Sequence, residues 1–165
     1  MGKKIVLEKR NYYVYQTPLG RITIAANNDA IIRLAFGEVV FEGPKVASSL
    51  TNKAANQLQE YLAGKRSVFD LPLYAQGSEF QQRVWEEVLK IPYGQTRTYS
   101  EVAAAIGNPK ATRAVGMANN KNPLPILIPC HRVIGAQGKP VGYSGGLKIK
   151  EFLLNLEQRA SVSHS

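Results

Sequence analysis

Cys130 and His131 are the residues of this chain whose types and spacing could support covalent chemistry. Cys130 is the one cysteine among 165 residues, and His131 follows it directly. A thiol becomes a useful nucleophile when a base removes its proton, and histidine can do so. Adjacent side chains of a strand point to opposite faces, so contact between these two requires an irregular backbone or a bridging water. The same cysteine also fits an inert residue of a hydrophobic core.

A cysteine–histidine pair needs a third group that orients the imidazole ring. Glu101, Glu151 and Glu157 are candidates, and chemistry alone does not choose among them. A hydrolase with a cysteine, a histidine and an acid would fit this pattern. Such an enzyme has no evident use for the basic segment described next.

Positive charge is concentrated in the second half of the chain. The formal net charge is +9, and residues 95–150 contain eight Lys and Arg residues against one acid, Glu101. A local excess of this kind favours a polyanionic partner, most simply nucleic acid, although a solvated basic face fits it as well. The single cysteine excludes an internal disulfide and a multi-cysteine zinc site. We expect neither a metal ion nor a cofactor.

No apolar run approaches the roughly 20 residues that a membrane-spanning helix needs. The basic N-terminus lacks the apolar region of a signal peptide. We therefore expect no membrane association and a cytoplasmic location, or a nuclear one in a eukaryote. The length fits one domain or two small ones.

The first half of the sequence predicts an antiparallel meander followed by a helix. Three strands are expected over residues 11–17, 21–26 and 30–36, with turns between them. A helix is expected over residues 45–63, with Gly64 as its C-terminal cap. A short strand over residues 67–71 and a linker over residues 72–77 complete a first domain at residues 1–77. No residue in this half forms a recognisable site.

The second half predicts a mainly helical domain over residues 78–159. Capping-box patterns at residues 78–81 and 98–101 mark the starts of two helices, and the first should end near Ile91. The inward-facing stripe of that first helix is expected to contain Phe80, Val84, Val88 and Leu89. Asn108 followed by Pro109 predicts a third helix over residues 110–119. The second and third helices, joined by a tight turn, are typical of a helix-turn-helix that binds DNA.

The segments around Cys130 complete the predicted fold. A short buried strand over residues 126–128 should lead to Cys130, and a glycine-rich loop over residues 135–146 should follow it. The last helix is expected over residues 148–157, and residues 160–165 are expected to be a disordered tail.

Several ordered blocks of the second half resemble the O6-alkylguanine-DNA alkyltransferases. The signature Ile128-Pro129-Cys130-His131-Arg132-Val133 is similar to the active-site sequence of that family, and the resemblance extends over residues 80–157. Further matching blocks lie at residues 94–99, 107–116, 122–127 and 143–147. The first half resembles the family in architecture. The implied fold is α+β, with an N-terminal ribonuclease H-like antiparallel sheet and helix before a helical C-terminal domain.

The resemblance implies direct-reversal repair of DNA. The alkyl group of O6-alkylguanine, and also of O4-alkylthymine, would pass irreversibly to Cys130, so each protein molecule acts once. The partner would be double-stranded DNA, from which the damaged base is flipped, and the protein would act as a monomer.

The resemblance also implies roles for individual residues. His131 would take the thiol proton through a water molecule, and Glu157 would orient His131. Tyr99 would assist flipping and donate to guanine N3, while Asn122 would tie the helix-turn-helix to the active-site strand. Arg113 would replace the flipped guanine in the duplex. Substrate contacts are expected from Val133, Tyr143, Ser144 and Lys150, and further DNA contacts from Lys110, Thr112 and Ala114.

A non-enzymatic protein that binds alkylated DNA, as a sensor or regulator with an inert cysteine, is the alternative function. The alkyltransferase-like sensors share this fold but lack the cysteine, usually having tryptophan in its place. Cys130 therefore favours the transferase.

Overall fold

A three-stranded antiparallel sheet forms the first half of the molecule, as the sequence predicted. The computed structural model describes residues 9–138 and 142–163. The sheet consists of β1 (Asn11–Thr17), β2 (Gly20–Ala26) and β3 (Ile31–Phe36). Its strands pair in the order β1-β2-β3. Thr17 pairs with Gly20 across a two-residue turn, where Gly20 has a φ of +91°. Glycine adopts this value without steric cost because it has no Cβ.

Helix α1 (Ser49–Leu62) packs against this sheet and begins later than the predicted start at Lys45. Ser48 caps it through a reciprocal capping box with Thr51. Lys45 instead pairs with Tyr12 in a strand-like bridge, so the chain is not yet helical at this residue. The buried face of α1 contains Thr51, Ala54, Ala55, Gln57, Leu58, Tyr61 and Leu62. Gly64 follows the helix with a φ of +75°, so the predicted C-terminal cap is confirmed.

The segment after α1 differs from the prediction. No strand forms over residues 67–71, and residues 72–74 are held against β3 rather than forming a free linker. Ile31 N donates to Pro72 O at 2.8 Å, and Tyr74 N donates to Ile31 O at 3.0 Å. The apolar residues at 71, 73 and 75 pack on the core, which explains why this segment lies along the sheet.

Helix α2 (Glu79–Leu89) opens the second half with the predicted capping box between Ser78 and Gln81. Trp85 lies on its buried face and donates from Nε1 to Ala118 O at 2.9 Å. Leu89 was expected in the inward stripe, but it is 47% exposed. The predicted place of Leu89, the last residue of α2, in the buried stripe is therefore wrong.

Helices α3 (Tyr99–Ala105) and α4 (Thr112–Asn120) pack against each other and against α2. The predicted capping box of α3 is confirmed. The predicted start of α4 at residue 110 is wrong, because a turn closed by the bond from Ala111 N to Asn108 O precedes the helix. Lys110 therefore lies in this turn, and α4 begins without a side-chain cap.

The predicted strand over residues 126–128 is wrong. Pro125 and Ile128 pair across a tight turn in which Ile126 has a φ of +73°, a strained value for a β-branched residue. A 3-10 helix, Cys130–Arg132, follows directly. It leads into β5 (Val133–Ile134), which pairs in parallel with β4 (Arg97–Thr98). This pairing brings the start of α3 beside the cysteine.

Helix α5 (Leu147–Ser163) is longer than the predicted helix over residues 148–157. Residues 160–163 are helical rather than disordered, and the remainder of the predicted tail, residues 164–165, lies outside the described residues. Lys139, which contributed to the predicted basic segment, also lies outside them. Within the described ranges, every helix is too short or too polar to span a lipid bilayer.

Candidate active site

Cys130 lies at the start of the 3-10 helix with 4% of its surface exposed. Its N–H donates to Ile128 O at 2.7 Å, and its carbonyl accepts a bond of 3.1 Å from Asn119 Nδ2 on α4. The 3-10 helix is an irregular backbone, one of the two alternatives that the sequence left open for the adjacent Cys and His side chains. Both residues are buried, whereas in a strand their side chains would point to opposite faces.

The thiol of Cys130 is protonated at rest. Burial raises the pKa of the thiol from 9.0 to about 11. The side chain of Asn122, the positive charge of Lys150 and the N–H groups of Cys130 and Ile126 partly oppose this increase. The strained turn at Ile126 therefore places a donor on the nucleophile. A base is still required to produce the thiolate near neutral pH.

His131 is fully buried and contacts Glu157, one of the three glutamates that the sequence left open. The distance from His131 Nε2 to Glu157 Oε2 is 2.7 Å. Burial raises the pKa of Glu157, but hydrogen bonds from His131 and Arg132 outweigh it and lower the pKa to about 2. An ionised carboxylate only accepts, so Nε2 must carry the proton and Nδ1 is the acceptor of the neutral ring.

The acceptor atom of His131 is available for proton transfer. Nδ1 is buried and has no hydrogen-bond partner among the described residues. Burial lowers the pKa of His131, while the neighbouring Glu157 raises it and the cations Arg132 and Lys150 lower it further. The ring is therefore neutral near pH 7 and can accept a proton.

Glu157 is held by hydrogen-bond donors from several elements. We call Glu157 and its donors Tyr61, Gly94, His131 and Arg132 the Glu157 cluster. Arg132 donates from Nε to Oε1 at 2.8 Å and from Nη2 to Oε2 at 3.0 Å. The N–H of Gly94 lies 3.3 Å from Oε1, and the hydroxyl of Tyr61 donates to Oε2. Because both oxygens are engaged, the orientation of the carboxylate is fixed.

Two cations of the basic segment point into the protein. Arg132 is paired with Glu157 and is 7% exposed, while Lys150 is fully buried. Lys150 Nζ donates to Val133 O at 2.7 Å, and burial lowers the pKa of Lys150 from 10.5 to about 8. The charge count from the sequence therefore overestimated the positive charge on the surface. Within the part of the chain that the structure describes, no cluster of His, Cys, Asp and Glu could hold a metal ion.

Asn122 connects α4 with the segment that carries Cys130. Its Nδ2 donates to Ile128 O, and its Oδ1 accepts from Leu124 N, each at 2.9 Å. Both bonds are buried and close the turn that precedes the cysteine. Asn119, which the sequence did not single out, adds the bond to Cys130 O from the last turn of α4.

Tyr99 is the first residue of α3 and packs beside α4. A Cβ added at Gly116 would lie 3.8 Å from the Tyr99 ring, an ordinary van der Waals contact, so α4 packs directly beside this ring. Burial raises the pKa of Tyr99, a hydrogen bond with Asn119 lowers it, and the nearby Cys130 raises it. Tyr99 therefore keeps its hydroxyl proton near the nucleophile.

The loop before α5 carries Tyr143 and Ser144. The Tyr143 hydroxyl is buried, and its ring centroid lies 5.8 Å from that of Phe36 on β3. Ser144 is exposed. A Cβ on Gly145 would lie 2.8 Å from the Phe36 ring, so glycine is required for the loop to approach the sheet. Val133 is also buried, and its carbonyl accepts the hydrogen bond from Lys150.

The other predicted DNA contacts lie at the start of α4 and in the turn before it. Arg113 and Ala114 are exposed on α4, Thr112 is its first residue, and Lys110 is exposed in the preceding turn. These four residues lie at the start of α4 and in the turn before it, and together we call them the α4 face.

The first half of the chain contributes to the site, contrary to the expectation from sequence. Tyr61 of α1 reaches Glu157, and Phe36 of β3 contacts the loop that carries Tyr143. Sequence reasoning also missed the internal role of Arg132, although its place beside His131 was a usable signal. For Tyr61, the helical period predicted burial but gave no sign of its partner 96 residues later.

A sheet-and-helix unit joined to a helical unit with a buried cysteine, histidine and glutamate defines a protein that uses a thiol in group transfer. Two family models match the chain. The ribonuclease-like domain of 6-O-methylguanine DNA methyltransferase matches residues 11–75, and its DNA binding domain matches residues 79–159. The chain belongs to the 6-O-methylguanine DNA methyltransferase family.

Named relatives and a solved structure are similar over most of their length. The methylated-DNA–protein-cysteine methyltransferase of Methanosarcina barkeri is 49% identical over 89% of this chain and 96% of its own. The constitutive enzyme of that name from Bacillus subtilis is 47% identical, covering 90% and 96%. The crystal structure of Mycobacterium tuberculosis OGT in complex with DNA has a TM-score of 0.85 and 42% identity, covering 91% and 94%.

Proposed function

We propose that this protein repairs alkylated DNA by transferring the alkyl group of O6-alkylguanine to Sγ of Cys130. The observation that carries the proposal is the buried thiol beside a histidine whose Nε2 proton is fixed on Glu157. The relatives named methylated-DNA–protein-cysteine methyltransferase, which match nearly their full length, support the same reaction.

The reaction begins with removal of the thiol proton. His131 Nδ1 accepts it through a bridging water, and Glu157 stabilises the imidazolium that forms. The thiolate then attacks the alkyl carbon as the bond from that carbon to O6 breaks. The bonding electrons leave with guanine, and the new thioether has no easy route back. Each protein molecule therefore acts once.

The leaving guanine must be stabilised as it departs. Tyr99 donates to N3, a role supported by a raised pKa that keeps its hydroxyl protonated. Ser144 and nearby backbone groups bind the O6 side of the base, the backbone of Val133 meets its amino edge, and Tyr143 walls the pocket. Lys150 supports this pocket by its bond to Val133 O. Asn122 ties the cysteine segment to α4.

The base reaches the pocket by flipping out of double-stranded DNA, a partner that the named relatives support. Helices α3 and α4 act as a helix-turn-helix with α4 against the duplex. Arg113 enters the stack in place of the flipped guanine, and Lys110, Thr112 and Ala114 contact the DNA around it. The protein acts as a monomer, without cofactor, in the cytoplasm or, in a eukaryotic cell, in the nucleus. O4-alkylthymine is a second substrate.

Mass spectrometry of the intact protein tests this function. The wild type is incubated with a duplex that contains one O6-methylguanine, and peptides are then mapped. The expected product carries one added methyl group at Cys130. Cys130→Ala should gain none and still bind the duplex. An unmodified wild type that binds the duplex would instead indicate a sensor of alkylated DNA, and lost binding in Cys130→Ala would indicate a structural cysteine.

A further inference from the structure

We infer that Tyr61, on α1 of the first half, is a positioning residue of the alkyl-acceptor site. Its hydroxyl fixes Glu157 and limits how strongly that carboxylate attracts the imidazole proton of His131. This inference rests on the proposed function, because it assigns His131 as the base. It adds a task for the sheet-and-helix half, which otherwise contributes no group to the reaction.

The direction of the hydrogen bond follows from the two partners. Burial, with a smaller contribution from Glu157, raises the pKa of Tyr61 far above its usual value, so the hydroxyl keeps its proton. Glu157 is ionised and only accepts. Tyr61 must therefore donate to Glu157 Oε2.

Tyr61 and His131 share one acceptor atom. The Tyr61 oxygen lies 3.4 Å from His131 Nε2, and both atoms are within hydrogen-bond distance of Glu157 Oε2. Since Nε2 also carries a proton, these two donors do not bond each other. Each draws electron density from Oε2, so the Tyr61 bond weakens the pull of Glu157 on the His131 proton.

Other charges near His131 do not replace this bond. Arg132 and Lys150 face the imidazole from the 3-10 helix and α5, and both lower the pKa of His131. Neither donates to the imidazole ring in the described contacts. Tyr61 is the group from α1 that reaches the shared oxygen.

The Tyr61 ring is held without help from its hydroxyl. It is fully buried, with ring centroids at 5.3 Å from Phe69 and 6.1 Å from Tyr93. A phenylalanine would fill the same space on α1. The substitution Tyr61→Phe thus removes the donor while preserving the packing.

Tyr15→Phe is a matched control, because the Tyr15 hydroxyl also forms hydrogen bonds that involve α1. The Tyr15 hydroxyl donates to Asn52 Oδ1 at 2.8 Å and lies 2.9 Å from Thr51 Oγ1, so it joins β1 to α1 far from Glu157. Both variants lose one tyrosine hydroxyl and the hydrogen bonds that it makes. A purely structural role would make them behave alike.

The first measurement follows the imidazole nitrogens of the free, full-length protein by ¹⁵N NMR across pH. The chain has two histidines, His131 and His164, so the signals are readily assigned by one substitution at His164. In Tyr61→Phe we expect His131 to keep its Nε2 proton and to become fully protonated at a higher pH than in the wild type. Tyr15→Phe should leave the His131 titration unchanged.

The second measurement is single-turnover transfer from an O6-methylguanine duplex as a function of pH. On the acidic side of the pH–rate profile, His131 gains a proton and no longer acts as base. This part of the profile, its acidic limb, should move to higher pH in Tyr61→Phe. On that limb the rate constant should fall on the order of threefold to tenfold. Tyr15→Phe should keep the wild-type limb even if its stability falls.

Unchanged His131 titration and an unmoved limb in Tyr61→Phe would overturn the inference and leave Tyr61 a packing residue. Failure of the proposed function is a different result. In that case the wild type transfers no methyl group, while the NMR comparison still decides whether Tyr61 controls His131.

Discussion

The Glu157 cluster and the α4 face handle charge in opposite ways. In the cluster, Glu157 and Arg132 are buried and bonded to each other, so their charges are fixed within the fold. On the α4 face, Arg113 and Lys110 are exposed to solvent. A change in the cluster should therefore damage both stability and chemistry, whereas a change on the face should alter only the encounter with DNA.

Glu157→Gln should give the largest effect. It removes the carboxylate that we propose stabilises the His131 imidazolium, so the single-turnover rate constant should fall on the order of 100-fold or more. It also leaves the guanidinium of Arg132 buried without its counter-charge, which should cost about 3 kcal/mol of unfolding free energy. Rapid-quench kinetics and urea denaturation measure the two losses.

Glu151→Gln is the control for this substitution, because Glu151 is exposed on the same helix. It should change neither quantity. If Glu157→Gln lost activity at unchanged stability, the buried pair with Arg132 would not support the fold, and the proposed contrast between the two regions would fail.

Arg113→Ala should separate DNA handling from chemistry. Without the side chain that we propose fills the gap in the stack, repair of O6-methylguanine in a duplex should slow on the order of 10- to 100-fold. Reaction with free O6-benzylguanine, which needs no flipping, should keep its wild-type rate, and so should thermal stability. Arg21→Ala, an exposed arginine of the sheet, serves as the control. Equal losses on both substrates would rule out that Arg113 replaces the flipped guanine.

The sequence predicted local contacts more accurately than contacts between distant parts of the chain. The capping boxes at Ser78 and Thr98 were confirmed because each is completed within four residues. The capping signal at Asn108 failed, since the Asn108 carbonyl closes a turn instead of starting α4. The apolar run before Cys130 predicted a strand, but periodicity could not reveal the turn at Ile126.

The site shows this limit more clearly. The Cys130–His131 pair was visible because its members are adjacent, and the resemblance to a known family pointed to Glu157. Tyr61 and Arg132 were read as a core residue and as part of a basic surface, respectively. Their hydrogen bonds to Glu157 span 96 and 25 residues of sequence, and no local pattern encodes such pairings. The buried polar contacts were thus the least predictable part of the site.

The stability of the protein should fall in acid partly through Glu157. The pKa of Glu157 is lowered from 4.5 to about 2 in the fold, so the unfolded chain binds more protons between these values. Stability from this group is complete above about pH 4.5 and is lost as the pH falls toward about 2. The stability difference between wild type and Glu157→Gln should therefore shrink over this window, as measured by urea denaturation. A constant difference would mean that Glu157 does not titrate with folding.

Lys110→Gln should give the smallest effect, confined to DNA binding. Lys110 is exposed in the turn before α4, where it can neutralise one backbone phosphate. The slope of log affinity against log salt should become shallower by about one, with little change in the preference for damaged over undamaged duplex. Fluorescence anisotropy at several salt concentrations measures both. Lys65→Gln makes the same charge change at an exposed position after α1 and should keep the wild-type slope. Since both substitutions lower the net charge equally, a difference between them locates the DNA on the α4 side, and equal slopes would place the contact elsewhere.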